Sequence, residues 1–210
     1  FAELVGLTVA NADARARLAS QAATDPLTGL ANHRNFHERL DDEVTRAAAE
    51  RGELALVVLD LDRFKDVNDA FGHQVGDEVL AEAARRLAGE ARFGELVARV
   101  GGEEFAWILP GSDGTNAWRA AERARRAIAE KEFPGGVGFV TASAGVADLT
   151  QARDAGEVLR LADGALYWAK SHGSDNTAIY TPEVVAELSD AERAERLNRT
   201  QAKTALRALA

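Results

Sequence analysis

The chain has 210 residues, 46% hydrophobic and 28% charged, with 25 Lys plus Arg against 34 Asp plus Glu for a net charge of −9. That balance suits a folded domain with a sizeable core and excludes a disordered chain, a collagen-like rod and, with no Cys, a disulfide scaffold or thiolate chemistry. An acidic surface repels phosphate backbones and anionic lipid, so no nucleic-acid polymer is expected as a partner.

No apolar run reaches the roughly 20 residues of a membrane span, the longest being Leu54 to Leu59, and nothing at the start resembles a cleavable signal. The expectation is a cytoplasmic, soluble portion of a larger chain with no direct membrane insertion, the missing Met at position 1 favouring a piece of a longer polypeptide. His33, His37, His73 and His172 stand in different contexts, so no multi-His metal site is expected.

In chain order, residues 3 to 23 carry Leu4, Leu7, Asn11, Ala14, Leu18 and Gln21 at three-four spacing, which predicts a helix suited to pairing with its own copy; 1–24 reads as a helical signalling linker. Thr24-Asp25-Pro26 breaks it, and Leu27 to Leu30 forms a turn before a helix from about Asn32 to Arg51. Leu54 to Leu59 is a buried strand ending in Asp60-Leu61-Asp62. Residues 74 to 91 are helical, with Val75, Val79, Ala83 and Leu87 on one face. Leu96 to Val100 and Phe105 to Leu109 are strands of a hairpin across Gly101-Gly102-Glu103-Glu104. A helix over Thr115 to Glu130, a strand over Phe139 to Val146, a helix over Ala155 to Lys170 and a strand over Thr177 to Tyr180 complete an α/β domain of helices layered on a sheet, 25–181. After Thr181-Pro182 the composition turns to Glu, Ala, Arg and Leu, predicting a C-terminal helical extension, 182–210.

The chemistry gathers at strand ends. Asp60 and Asp62, two apart, share a face, and the hairpin tip can bring Glu103 beside them. Two bare carboxylates about 4 Å apart repel by roughly 4 kcal/mol at an effective dielectric near 20, so the cluster calls for a cation. Oxygen ligands without Cys or clustered His select Mg²⁺ or Mn²⁺, which completes its shell with water and substrate phosphates. The alternative is an acidic turn facing solvent. Gly101 and Gly102 are expected to turn the chain with positive φ and to let a ligand lie against the backbone, while Lys65 and Lys170 lie where they can clamp phosphate.

Five segments carry a family resemblance: Asp25-Pro-Leu-Thr-Gly-Leu-Ala-Asn32, Asp60-Leu-Asp-Arg-Phe-Lys65-Asp-Val-Asn68-Asp, Phe71-Gly-His-Gln-Val-Gly-Asp77, Ala98-Arg-Val-Gly-Gly-Glu-Glu-Phe105 and Ala165-Leu-Tyr-Trp-Ala-Lys170. Together, and in this order, they resemble the GGDEF domain of diguanylate cyclases from about Asp25 to Tyr180. The resemblance implies a palm-like nucleotidyl cyclase fold of the α+β kind, with a central, mostly antiparallel sheet flanked by helices. It implies condensation of two GTP into cyclic di-GMP, a bacterial second messenger, with release of two pyrophosphates. Asp60 and Glu103 would then hold Mg²⁺ with the Leu61 carbonyl, and Glu103 would help deprotonate the attacking 3′-hydroxyl. Lys65 would stabilise the phosphates during transfer, Lys170 would grip the terminal phosphates, and Asn68 and Asp77 would read guanine. Since each domain holds one GTP, a homodimer is implied for catalysis.

Three positions depart from the family pattern. Its product-inhibition site usually reads Arg-x-x-Asp, and here Arg92-Phe-Gly-Glu95 carries an acidic arm one methylene longer. Ser174 stands where Arg is usual, and His33-Arg34 replaces a commoner Arg pair. Two other functions stay open at the level of sequence: a regulatory module that binds GTP or cyclic di-GMP with little turnover, and a purely structural dimerisation segment.

Overall fold

Alternating short apolar runs and amphipathic stretches leave few ways to bury both faces of a sheet, and the computed structural model adopts one of them. It describes residues 23–182; nearly all of the expected N-terminal linker and C-terminal extension lie outside the described residues. In chain order the elements are α1 (His33–Glu50), β1 (Leu54–Leu61), α2 (Phe64–Phe71), α3 (His73–Glu90), β2 (Leu96–Arg99), β3 (Glu104–Pro110), α4 (Gly114–Ala129), β4 (Ala142–Asp148), α5 (Ala155–Ser171) and β5 (Thr177–Ile179). The strands form one sheet in the order β2-β3-β1-β4-β5, antiparallel except for the parallel pair β4 and β5. This is the mostly antiparallel, helix-flanked sheet that the resemblance implied.

Central strand β1 is buried along its whole length. Its alternation sends Ala55, Val57, Leu59 and Leu61 into a core closed by α3 and α4, and Leu54, Leu56 and Val58 into a second core closed by α1 and α5. Asp60 continues the second series, so its carboxylate emerges on the α5 side. Helix starts are fixed by side-chain caps: Asn32, Asp113 and Asp154 accept from the backbone of Asn35, Asn116 and Glu157. Gly145 lets α5 lie directly on β4, since a Cβ there would meet the Ala162 carbonyl at 2.1 Å. That close approach sets where the C-terminal end of α5, and with it Lys170, stands.

Two elements differ from expectation. Helix α2 is absent from the sequence-based reading; it has only eight residues, starts from a left-handed Arg63 without a side-chain cap, and owes its place to burial of Phe64 and Val67. Strand β4 begins at Ala142 instead of Phe139. Gly138 has φ +80° and its carbonyl accepts from Phe133 N, which folds this stretch into a loop and leaves the Phe139 ring exposed. Among the described residues no helix is long and apolar enough to cross a membrane.

Candidate active site

The end of β1, the β2–β3 hairpin tip and the α2–α3 corner meet at one end of the sheet. Asp60 pairs in register with Glu104, and Leu61 N donates to the Glu103 carbonyl at 3.3 Å, which brings the hairpin tip against the strand end. Lys65 and Asn68 from α2, Asp77 from α3, and Gly102 and Glu103 from the hairpin line an open cleft of about 520 Å³ with Arg99. Residues 38 positions apart in sequence thus face one cavity.

Asp60 stands behind the hairpin, 7% exposed. The Lys170 ammonium, from the last turn of α5, lies 2.5 Å from its Oδ1. This ion pair is what compensates the buried Oδ1. Burial raises the Asp60 carboxyl to about 6; Lys170 opposes the rise, while the charges of Glu103 and Glu104 add to it. A buried oxygen that Lys170 compensates only in part, with further carboxylates acting on it, suits a hard cation. Among the described residues no three His, Asp or Glu side chains form a metal cage. Mg²⁺ does not require one, because it binds through one or two carboxylates and completes its shell with water and phosphate, so the buried Asp60 carboxylate, with the Glu103 charge acting on it, suits such an ion.

Asp62 has another task. It accepts from Thr141 Oγ1 and Ser143 Oγ, each at 2.7 Å, and from Asp175 N at 2.9 Å. These bonds tie the end of β1 to β4 and to the loop after α5, the loop in which Ser174 has φ +58°.

The glycines of the hairpin act differently from expectation: neither Gly101 nor Gly102 has a positive φ. The four-residue connection from Val100 to Glu103 is wide enough to turn without left-handed residues, and Val100 N and Gly101 N both donate to the Glu104 carbonyl. What Gly101 supplies is space, since a Cβ would meet Glu104 Oε2 at 2.4 Å. Gly102 is exposed and open on the side a Cβ would occupy.

Arg99 carried no role in the sequence reading, yet it organises this tip. Its Nε and Nη2 donate to the Gly102 carbonyl at 3.0 and 2.8 Å, and its Nη1 contacts both oxygens of Asp25 at 3.2 Å. Asp25 in turn accepts from Thr28 N and Oγ1 at 2.9 and 2.7 Å. Burial works to raise the Asp25 carboxyl, but the Thr28 hydrogen bonds and the Arg99 charge outweigh it and hold it below its usual value. The motif around Asp25 is therefore the anchor of the β2–β3 hairpin tip, a partnership across 74 positions that no local pattern announces.

Arg92 and Glu95 lie away from this cleft, in a groove of about 550 Å³ that also includes Arg39 and Arg46. Glu95 Oε2 accepts from Arg92 N at 2.8 Å and from Nε1 of the fully buried Trp107 at 3.0 Å. The longer arm reaches an indole that would otherwise lack a partner. His33 and His37 are closer than expected from sequence: one turn apart on α1, their rings stand 4.6 Å from each other.

Comparison with known proteins fits this arrangement. Residues 22–176 match the family described as diguanylate cyclase, GGDEF domain. Diguanylate cyclase DgcP of Pseudomonas aeruginosa is 43% identical over 162 residues, covering 76% of this chain and 24% of that one. Response regulator PleD of Caulobacter vibrioides is 41% identical over 157 residues, 72% of this chain and 35% of that one. The chain thus spans a quarter to about a third of the length of these relatives. Among solved structures, the coiled coil and GGDEF domain of DgcB from Caulobacter crescentus, in complex with c-di-GMP, superposes with a TM-score of 0.77 at 31% identity, covering 85% of this chain and 97% of that one. The active GGEEF domain of a diguanylate cyclase from Vibrio cholerae gives 0.70 at 34% identity, covering 72% and 98%. With motif order, sheet topology and more than 150 matched residues in agreement, the chain belongs to the GGDEF domain family of diguanylate cyclases.

Proposed function

We propose that this chain is a diguanylate cyclase domain of a longer signalling protein, condensing two GTP into cyclic di-GMP and two pyrophosphates in the cytoplasm. The observation that carries the reading is the single cleft that gathers Lys65, Asn68, Asp77, Gly102 and Glu103 from α2, α3 and the hairpin. Guanine offers an N1–H and an exocyclic amine on one edge; the Asp77 carboxylate accepts such a pair, whereas adenine presents a bare N1 there. Asn68 adds a carboxamide that both donates and accepts. In each of two transfers a 3′-oxygen bonds to the α-phosphorus of the other nucleotide, the bond to pyrophosphate breaks, and the hydroxyl proton goes to the Glu103 carboxylate. Lys65 neutralises charge on the phosphates. Lys170 exchanges its contact with Asp60 for the terminal phosphates as nucleotide arrives. Mg²⁺ or Mn²⁺, held by Asp60, Glu103 and the Leu61 carbonyl, would supply Lewis-acid stabilisation of the developing charge.

Because the cleft of each domain would hold one GTP, two copies must meet with their nucleotides facing, so the working unit is a homodimer. Residues 1–24 would act as the linker that controls this encounter, and residues 182–210 as an extension beyond the domain. The test is incubation of the chain with GTP and Mg²⁺, with chromatographic detection of cyclic di-GMP beside a GTP titration. Product formation is expected. Tight GTP binding by a dimeric sample without product would point to a regulatory nucleotide-binding module, and absence of GTP affinity to a structural segment.

A further inference from the structure

The α2–α3 corner places a buried glycine, Gly76, directly against Asn68. Gly76 lies within the first turns of α3 and is not among the residues of positive φ, so backbone conformation does not require glycine here. Helix propensity argues against it, since glycine in a helix interior is disfavoured relative to alanine. Space accounts for it. A Cβ on Gly76 would stand 2.0 Å from Asn68 Oδ1, 3.0 Å from Asn68 Cγ and 3.3 Å from Phe64 Cζ. The carboxamide of Asn68 occupies the volume that any other residue at 76 would fill.

We propose that Gly76 is a positioning residue for base recognition: by lacking a side chain it lets the Asn68 carboxamide sit at the floor of the cleft, in place to bind guanine. This rests on the reading above in which the cleft takes GTP. The backbone around the corner supports a fixed placement. Gly72, with φ +85°, ends α2 by donating to the Asn68 carbonyl at 2.9 Å, and Gly76 N donates to the Gly72 carbonyl at 3.1 Å. Residues 68, 72 and 76 are thus linked by backbone bonds, and Asn68 cannot retreat from a larger residue at 76 by sliding its helix. Its side chain can rotate instead. Because Asn68 is partly exposed and the clashing atoms are at its tip, Gly76→Ala is expected to keep the fold while turning the carboxamide out of position.

A variant cycle on the full chain tests this. Gly76→Ala, Asn68→Ala and the double variant are titrated with an α,β-methylene analogue of GTP, and with the ATP counterpart, in Mg²⁺, alongside urea unfolding. Loss of the Asn68 hydrogen bonds should weaken GTP-analogue binding by roughly 3- to 30-fold in each single variant, with the preference over the ATP analogue falling in proportion. The double variant should be no weaker than Asn68→Ala to within about twofold, because both changes remove one interaction. If Asn68→Ala binds as the parent does, the assignment of Asn68 to guanine falls and takes this inference with it. If Asn68→Ala is weakened while Gly76→Ala is not, or if the two losses multiply, the role of Gly76 alone is overturned. Should Gly76→Ala fail to fold by itself, recovery of folding in the double variant with the affinity of Asn68→Ala supports the contact, and failure in both backgrounds overturns it in favour of packing against Phe64.

Discussion

A carboxylate held out of water beside other carboxylates is costly to ionise, and Asp60 is in that position. Its folded pKa of about 6, against 3.8 for the free group, means that the folded chain holds this proton more tightly than the unfolded one between those pH values. Stability contributed by Asp60 is therefore fully present below about pH 4 and lost as pH rises through 6, a difference of about 3 kcal/mol. Asp60→Asn should abolish turnover, yet in chelator at pH 7 it should unfold at higher urea than the parent, and the gap should close as pH falls toward 4. A variant less stable than the parent at pH 7 would contradict this. Asp25 has the opposite sign: its lowered carboxyl stabilises the fold at neutral pH, and that stability is lost as acid titrates it. At the far side of the cleft, Asp77→Ser should relax base choice, so that ATP turnover, roughly 5- to 150-fold below GTP in the parent, rises toward it. Equal use of both bases by the parent would refute the role. That Lys65, Asn68, Asp77 and Glu103 gather at one cleft was legible in the sequence because their motifs are local and ordered. Gly76 and Arg99 were not, because one acts by leaving space for a residue on another helix and the other by bridging distant loops.

Between elements, the Arg99 guanidinium is the part that Lys cannot imitate: it binds the Gly102 carbonyl through two nitrogens while pairing with Asp25 through a third. Arg99→Lys should cost roughly 1 to 2 kcal/mol of stability in urea and lower kcat about tenfold or more by loosening the hairpin. Undiminished kcat would show that the tip holds itself. Glu95 makes a second connection, from the β2 approach to the buried Trp107 on β3, and its engaged oxygen predicts weak product inhibition. Shortening it, Glu95→Asp, should withdraw the acceptor from the indole at a cost of roughly 1 to 3 kcal/mol and, if the arm is what weakens the groove, tighten inhibition by cyclic di-GMP in progress curves. Inhibition that is strong in the parent and lost in Arg92→Ala would show that the longer arm serves. Most elements were legible from periodicity, within a residue or two at the ends of α1, α3, α4 and α5. Helix α2 escaped because Phe64, Val67 and Phe71, though spaced as on a helix, span only eight residues between two turns, too short a window for the period to stand out, and the early start expected for β4 followed β-forming residues past Gly138, which turns the chain away.

At the scale of the molecule, the proposed reaction between two separately bound nucleotides would make the rate depend on how often domains meet. Specific activity should rise with protein concentration below the dimer dissociation constant and level off above it; an activity per chain independent of concentration from nanomolar upward would mean a permanent dimer or a single-domain route. The sheet itself bears on such meetings. Its outer strands are only four and three residues long, and Ala31 bridges the free side of β2 by donating to the Val97 carbonyl and accepting from Arg99 N. Among the described residues little backbone is left along either border to recruit a strand from a neighbour. Copies crowded together can therefore collide through side chains and separate again, instead of zipping edge to edge into an aggregate.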